Sequence, residues 1–415
     1  MSLIRPFAAL RPVPAHVADV IAPPYDVLNT EEARVRAKGR PYSFLHISKP
    51  EIDLPAGTDP FAPEVYATGA ENLQRLIKDN ILFREDTPCY YVYKLVMGEH
   101  EQIGLVAVAS VADYDSNRIR KHEFTRPEKE DDRVRQIDAL NAQTGPVFLT
   151  YRHNDTVDKV VAKVVAGTAE YDLTADDGVQ HTLWVVNDAD DIKTLTDTFD
   201  AMDCLYIADG HHRSAAGSRV AAMRQQDGQA TTASDYFLSV IFPDNQMKIL
   251  DYNRVVKDLN GMSEADFLAA VSKNFTVEKS ASPVSPVSTL EFGMYLGGSW
   301  YDLKINSDLV PGSDDPVGRL DVSLLQNNLI SPLLGVDNPR VDKRIDFVGG
   351  IRGLGELEKR VNSGEMAVAF SLHPTVLDDL MAVADANEVM PPKSTWFEPK
   401  LADGLVSHVL DEKGC

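Results

Sequence analysis

The chain has 415 residues, with 63 acidic against 41 basic side chains and a formal charge of −22. A hydrophobic content of 44% with 25% charged residues is that of a globular chain with a real core, and excludes a disordered or collagen-like one. So acidic a balance counts against duplex DNA, which normally needs a basic face, without eliminating it, since local basic patches can exist on an acidic protein; a nucleotide whose phosphates arrive complexed with Mg²⁺ is still admitted.

The cysteines, Cys89, Cys204 and Cys415, are far apart and lack metal-ligand spacing. That argues against a disulfide framework or a structural zinc and for a reducing compartment. The opening MSLIRPFAALRPVP carries no apolar stretch of signal-peptide length, and no run approaches about 18 apolar residues. The expectation is a cytoplasmic protein with no membrane partner. Its length suits two or three domains, with a boundary expected at 245/246: a catalytic region over 1–245 and a second domain over 246–415.

In chain order, Pro23-Pro24 forces an extended backbone and presents Tyr25 and Asp26 on a stiff loop. A helix is predicted to follow, with Thr30 as its N-cap and Glu31 and Glu32 in its first turn. Tyr42–Ile47 alternates as a strand would, and 64–80 has helical spacing. Residues 89–96 and 100–109 predict a hairpin turning at Met97-Gly98-Glu99. The segment 120–133 (RKHEFTRPEKEDDR) gathers His122, Glu123 and Thr125, then Lys129, Asp132 and Arg133, at the start of a helix stopped by Thr144-Gly145-Pro146. A zinc-protease helix needs a second histidine four residues after His122, and Arg126 stands there, so that reading fails. The functional alternative to a solvated helix face is a Glu or His base beside cations that hold phosphate oxygens. The buried strand Val147–Tyr151 follows, then a helix–strand–helix run with isolated His153 and His181, read as surface residues.

Residues 203–223 (DCLYIADGHHRSAAGSRVAAM) change from strand to helical spacing across Asp209-Gly210-His211-His212-Arg213. A helix N-terminus with free N–H groups, a permissive Gly210, Arg213 and two imidazoles suits an anion, most often a phosphate. Further on, Leu290–Leu296 and Trp300–Ile305 flank Gly297-Gly298 as a hairpin. Helices then alternate with strands over 322–386. The ending MPPKSTWFEPKLADGLV (390–406) has neither period; it is either a structural strap or a segment that returns Lys393 to the active site. No GxxxxGK[ST], GxGxxG after a strand, or GxSxG occurs.

Five ordered blocks, APPYDVL (22–28), HEFT…K…DDR (122–133), ADGHHR (208–213), LDVSLLQNNLISPLLG (320–335) and MPPKSTWFEPKLADGLV (390–406), resemble a bacterial domain-of-unknown-function family, number ten-fifteen, over nearly the whole chain. The DGHHR turn also resembles the phosphate-binding turn of the ParB/sulfiredoxin-like superfamily, which includes free-serine kinases. Sulfiredoxin's cysteine is replaced here by His211 and His212, which argues against sulfinic-acid repair. The resemblance implies an α/β (mixed α+β) fold, with a ParB/sulfiredoxin-like catalytic region and a second α+β domain. It implies a small-molecule kinase acting on a hydroxyl amino acid, foremost L-serine, with Mg²⁺ and with ATP, ADP or an inorganic polyphosphate as donor.

Carried over by position, Gly210, His211, His212 and Arg213, with Lys129 and Arg133, would bind nucleotide phosphate. Glu123, His122 and Asp209 would be catalytic, and Tyr25, Asp26, Lys393 and Thr395 would meet the substrate. No residue is assigned as a metal ligand. The sequence leaves open a non-catalytic nucleotide-binding regulator, a ParB-like DNA-associated protein, a phosphohydrolase, and a homodimeric state.

Overall fold

The computed structural model describes residues 2–412 and divides into two compact units, residues 2–247 with 399–412, and residues 248–398. The sequence reading placed the whole tail in the second domain; the structure instead makes 399–412 part of the first unit. The chain is a mixed α/β protein, each unit being a sheet with helices packed on it.

The first unit is built on β1 (Ile4–Arg5), β2 (Tyr90–Met97), β3 (His100–Ser110), β4 (Ile119–Arg120), β5 (Val147–Tyr151), β6 (Tyr171–Thr174), β7 (Gln180–Val186), β8 (Leu205–Asp209) and β9 (Tyr236–Pro243). They form one sheet in the order β4-β8-β5-β9-β3-β2-β7-β6, with β1 beside β3. Buried residues such as Val92, Leu105, Leu149, Ile207 and Ile241 fill its core. Three helices matter for the site: α1 (Pro63–Lys78), α2 (Pro127–Leu140) and α3 (His211–Gln226). The last is rich in small residues because it lies close to the sheet. A Cβ at Gly217 would stand 3.1 Å from Phe237 Cβ on β9.

The decisive feature is at the sheet edge. β8 runs parallel to β4, with Leu205 opposite Ile119 and Tyr206 opposite Arg120. It runs antiparallel to β5, with Asp209 opposite Phe148. The segments after β4, after β8 and before β5 therefore emerge at the same end, the position where open α/β sheets bind ligands. That topology brings residues 121–126, 209–213 and 144–146 together.

Three local expectations are corrected. Residues Leu45–Ser48 are helical, not a strand: Phe44, Leu45, Ile47 and Ser48 are buried at helical spacing, and six residues were too few to separate the two periods. The N-cap is Asn29, one residue before Thr30; its side chain accepts from Glu32 N at 2.9 Å while the Glu32 carboxylate accepts from Asn29 N. His181 is buried on β7, where the Tyr93 hydroxyl lies 2.5 Å from its Nδ1, whereas His153 is exposed and pairs with Asp158.

Residues 399–410 thread through the first unit. Leu10 pairs with Ser407, Ala22 with Asp403, and His408–Val409 with Ala142–Gln143. Gly404 makes the turn at φ +84°, and a Cβ there would lie 2.6 Å from the Phe44 ring. Gly404→Ala combines left-handed strain with overpacking, each worth about 1–3 kcal/mol. We expect the melting transition of the protein to fall by roughly 5–15 °C; an unchanged Tm would show that the tail is not held at this turn.

The second unit is a six-stranded antiparallel sheet of β10 (Tyr252–Val256), β11 (Phe275–Ser280), β12 (Glu291–Leu296), β13 (Ser299–Ile305), β14 (Ile345–Gly349) and β15 (Val368–Leu372). Its order is β11-β13-β12-β15-β10-β14, around a core of Val255, Tyr295, Trp300 and Leu357. Residues 321–334 are helical throughout and contain a π segment, Gln326–Ile330.

Candidate functional site

The strand-to-helix turn has the conformation its composition dictates. Gly210 sits at φ +101° as the N-cap of α3, and a Cβ would come within 3.0 Å of Arg213 Nε. A left-handed residue ends β8 and starts α3 within one position, a geometry glycine reaches without strain. Arg213 folds back beneath the turn, donating to Pro146 O.

The 122–133 and 208–213 blocks meet. His122 N donates to His211 Nε2 at 3.3 Å, and Arg126 N donates to His212 Nε2 at 3.0 Å. A backbone N–H can only donate, so each Nε2 is an acceptor and each imidazole is the neutral Nδ1–H tautomer. The His122 and His211 rings pack edge to face with centroids 4.4 Å apart, and both are buried. Burial pushes His122 down to about 4, against the opposing pull of Asp209. Burial, with His122 next, holds His211 well below the ordinary histidine range. His212 is lowered by burial and then by the adjacent Lys129 and Arg126. The sequence suggested up to three neighbouring cations in this turn; the low-dielectric surroundings leave Arg213 charged and both imidazoles neutral.

Glu123 projects from the loop so clamped, its carboxylate exposed and its Oε2 3.8 Å from His211 Nδ1. Phe124 beside it is also exposed. Lys129 is exposed on the first turn of α2, near His212. Asp209 accepts from Lys400 Nζ at 2.9 Å and lies 3.7 Å from Arg213. Burial alone would raise its pKa, but Lys400 and Arg213 outweigh it and hold the carboxylate well below its ordinary range. Already paired in this way, Asp209 is a charge anchor for the turn.

On the other side of Arg213 opens a small cleft lined by Tyr25, Arg133, Thr144, Gly145, Arg213 and Asp403 among others. Arg133 lies over the Tyr25 ring at 3.9 Å and donates to Asp132 from Nε and Nη2 at 2.9 and 2.6 Å. Asp26, more exposed, comes within 3.9 Å of Arg213. Burial pushes the Tyr25 hydroxyl up to about 12 despite Arg133.

Lys400 and Asp403 were not singled out from the sequence. Asp403 is 1% exposed; its Oδ2 accepts from Tyr25 N at 3.2 Å, while its Oδ1 is buried with no partner among the described residues. Burial pushes its carboxyl up to about 7, with Arg213 pulling the other way. A buried orphan carboxylate oxygen costs on the order of 1–3 kcal/mol. The signal available was a lone acid within the apolar run LADGLV. Lys393 and Thr395 belong to the second unit, where Lys393, at φ +57°, offers its carbonyl to Arg254 and lies 5.6 Å from the Tyr252 ring. Among the described residues no group of three or more His, Cys, Asp or Glu side chains is placed to hold a metal ion, and no helix is long and apolar enough to cross a membrane.

The sheet, the glycine turn and the polar cleft define a mixed α/β protein whose site is assembled at the end of a parallel strand pair. The chain belongs to the family described as Protein of unknown function (DUF1015), whose model matches residues 4–323. No curated protein matches it. Among solved structures it is similar to a free serine kinase in complex with AMP, at 14% identity and a TM-score of 0.35, over 72% of this chain and 92% of that one. It is also similar to a conserved hypothetical protein from Pyrococcus furiosus, at 14% identity and a TM-score of 0.32, over 72% and 95%. A third is SbnI with C-terminal truncation from Staphylococcus aureus, at 10% identity and a TM-score of 0.37, over 72% and 85%.

Proposed function

We propose that this protein is a small-molecule kinase that transfers a phosphoryl group from a nucleotide, delivered as its Mg²⁺ complex, to the hydroxyl of a free amino acid, foremost L-serine. The observation that carries the reading is the convergence of Glu123 and the Gly210 turn, with the carboxylate 3.8 Å from His211 Nδ1. Phosphoryl transfer needs positioning, positive charge on the equatorial oxygens and a base for the nucleophile. Here Arg213 and the first-turn N–H groups of α3 supply positive potential. Lys129 adds a mobile charge at the rim.

In the proposed step the acceptor oxygen attacks the terminal phosphorus, its proton passes to Glu123, and the bond to the leaving phosphate breaks. The neutral Nδ1–H of His211 faces the Glu123 carboxylate at 3.8 Å. The choice of serine follows from the resemblance of the DGHHR turn.

The test is a transfer assay with purified protein, Mg²⁺, and ATP, ADP or pyrophosphate, with L-serine and other hydroxyl compounds as acceptors. Phosphoserine is the expected product, and Arg213→Ala should lower kcat/KM by about 100-fold or more, as for a lost charge-assisted contact. Tight nucleotide binding without transfer to any acceptor would favour a regulator, and phosphate release without an acceptor a hydrolase; either result defeats the proposal.

A further inference from the structure

The cleft beside Arg213 holds two unsatisfied polar atoms of different elements. Asp403 Oδ1, on the threaded tail, and Ser48 Oγ, at the end of the short helix Leu45–Ser48, are both buried, both without partners among the described residues, and both in residues lining this cleft. Native proteins pair nearly all such atoms with protein groups, bound water or ligand, so an orphan pair in one cavity marks a place open to a polar guest. The same cleft is lined by two guanidiniums whose side chains are 10% and 14% exposed, Arg213 and Arg133. The carboxylates nearest Arg213, on Asp209 and Asp26, stay at 3.7 and 3.9 Å, too far for a closed bidentate pair.

A lining of mixed sign selects the charge pattern of its ligand. A simple anion satisfies the guanidiniums but is set against the Asp403 carboxylate, and a simple amine reverses the problem. A zwitterion meets both. We propose that this cleft seats the α-ammonium of a free amino acid on Asp403 Oδ1 and Ser48 Oγ, and its α-carboxylate on Arg213 and Arg133. The assignment rests on the kinase reading only in that the bound amino acid is then the acceptor. It makes Asp403 the residue that distinguishes amino acids from hydroxy acids.

The experiment is calorimetric binding to the full chain without nucleotide. The probes are L-serine, L-threonine, 3-hydroxypropionate (no ammonium) and ethanolamine (no carboxylate). At least one amino acid should bind at least tenfold more tightly than each truncated probe. Asp403→Asn, which keeps an acceptor for Tyr25 N, should weaken the amino acid at least tenfold and should not weaken 3-hydroxypropionate.

Ser48→Ala should weaken it severalfold, and it decides the matter if Asp403→Asn does not fold. Binding of 3-hydroxypropionate as tightly as the amino acids, absence of amino-acid binding, or an Asp403→Asn variant with undiminished affinity would each overturn the proposal. Amino-acid binding without phosphoryl transfer would uphold this site and sink the kinase. Transfer with an unaltered serine KM in Asp403→Asn would do the reverse.

Discussion

Glu123→Gln should lower kcat for phosphoryl transfer by about 10²–10⁴-fold, the range for loss of a positioned general base, and leave the nucleotide KM within about threefold. Glutamine keeps the volume and one carbonyl oxygen facing His211 but cannot take the proton of the acceptor hydroxyl. Because the Glu123 side chain is exposed, the substitution should move Tm by little more than 1 °C, corresponding to roughly 0.5 kcal/mol or less. Loss of turnover at constant stability and constant nucleotide affinity is the signature of a base. A variant with full kcat would remove Glu123 from the chemistry and leave the Gly210 turn as an anion site whose catalytic partner lies elsewhere.

Much of the architecture was legible because the chain marks it locally. The hairpin of β2 and β3 turns at Gly98, and the change of period across Asp209–Arg213 matches the end of β8 and the start of α3. Adjacency was not legible. That β4 and β8 pair in parallel depends on two residues of ladder, Ile119 and Arg120, a signal far below any periodicity. Lys400 and Asp403 stand some 190 residues from the turn they serve, and only the threading of 399–410 beside Leu10 and Ala22 brings them there.

The charge state of the histidines was also hidden. Side by side in the sequence, His211 and His212 look like a cationic pair. Their Nε2 atoms instead accept backbone N–H bonds from the two ends of the 122–126 loop, a role that requires them neutral.

That role makes the clamp acid-labile, with a sign fixed by the direction of the shifts. His122, His181 and His408 are each pushed down to about 4 by burial, and His211 and His212 are lowered as well. An unfolded histidine titrates near 6.5, so between about pH 6.5 and 4 the unfolded chain binds protons that the folded chain refuses. Stability from these groups is therefore complete above about 6.5 and is lost as the pH falls toward 4, on the order of 3 kcal/mol for His122.

Activity should fall earlier than stability, because His212 is only half-buried and its protonation destroys the acceptor that holds Arg126 N. His212→Gln places an amide oxygen that cannot titrate where Nε2 stood. It should keep turnover within a fewfold at pH 7.5 and flatten the acid side of the profile, whereas His212→Leu should lose about tenfold at every pH, near the 1.4 kcal/mol of one hydrogen bond to the loop. If the glutamine and leucine variants decline together at all pH values, the imidazole acts as bulk and the clamp has no part in setting Glu123.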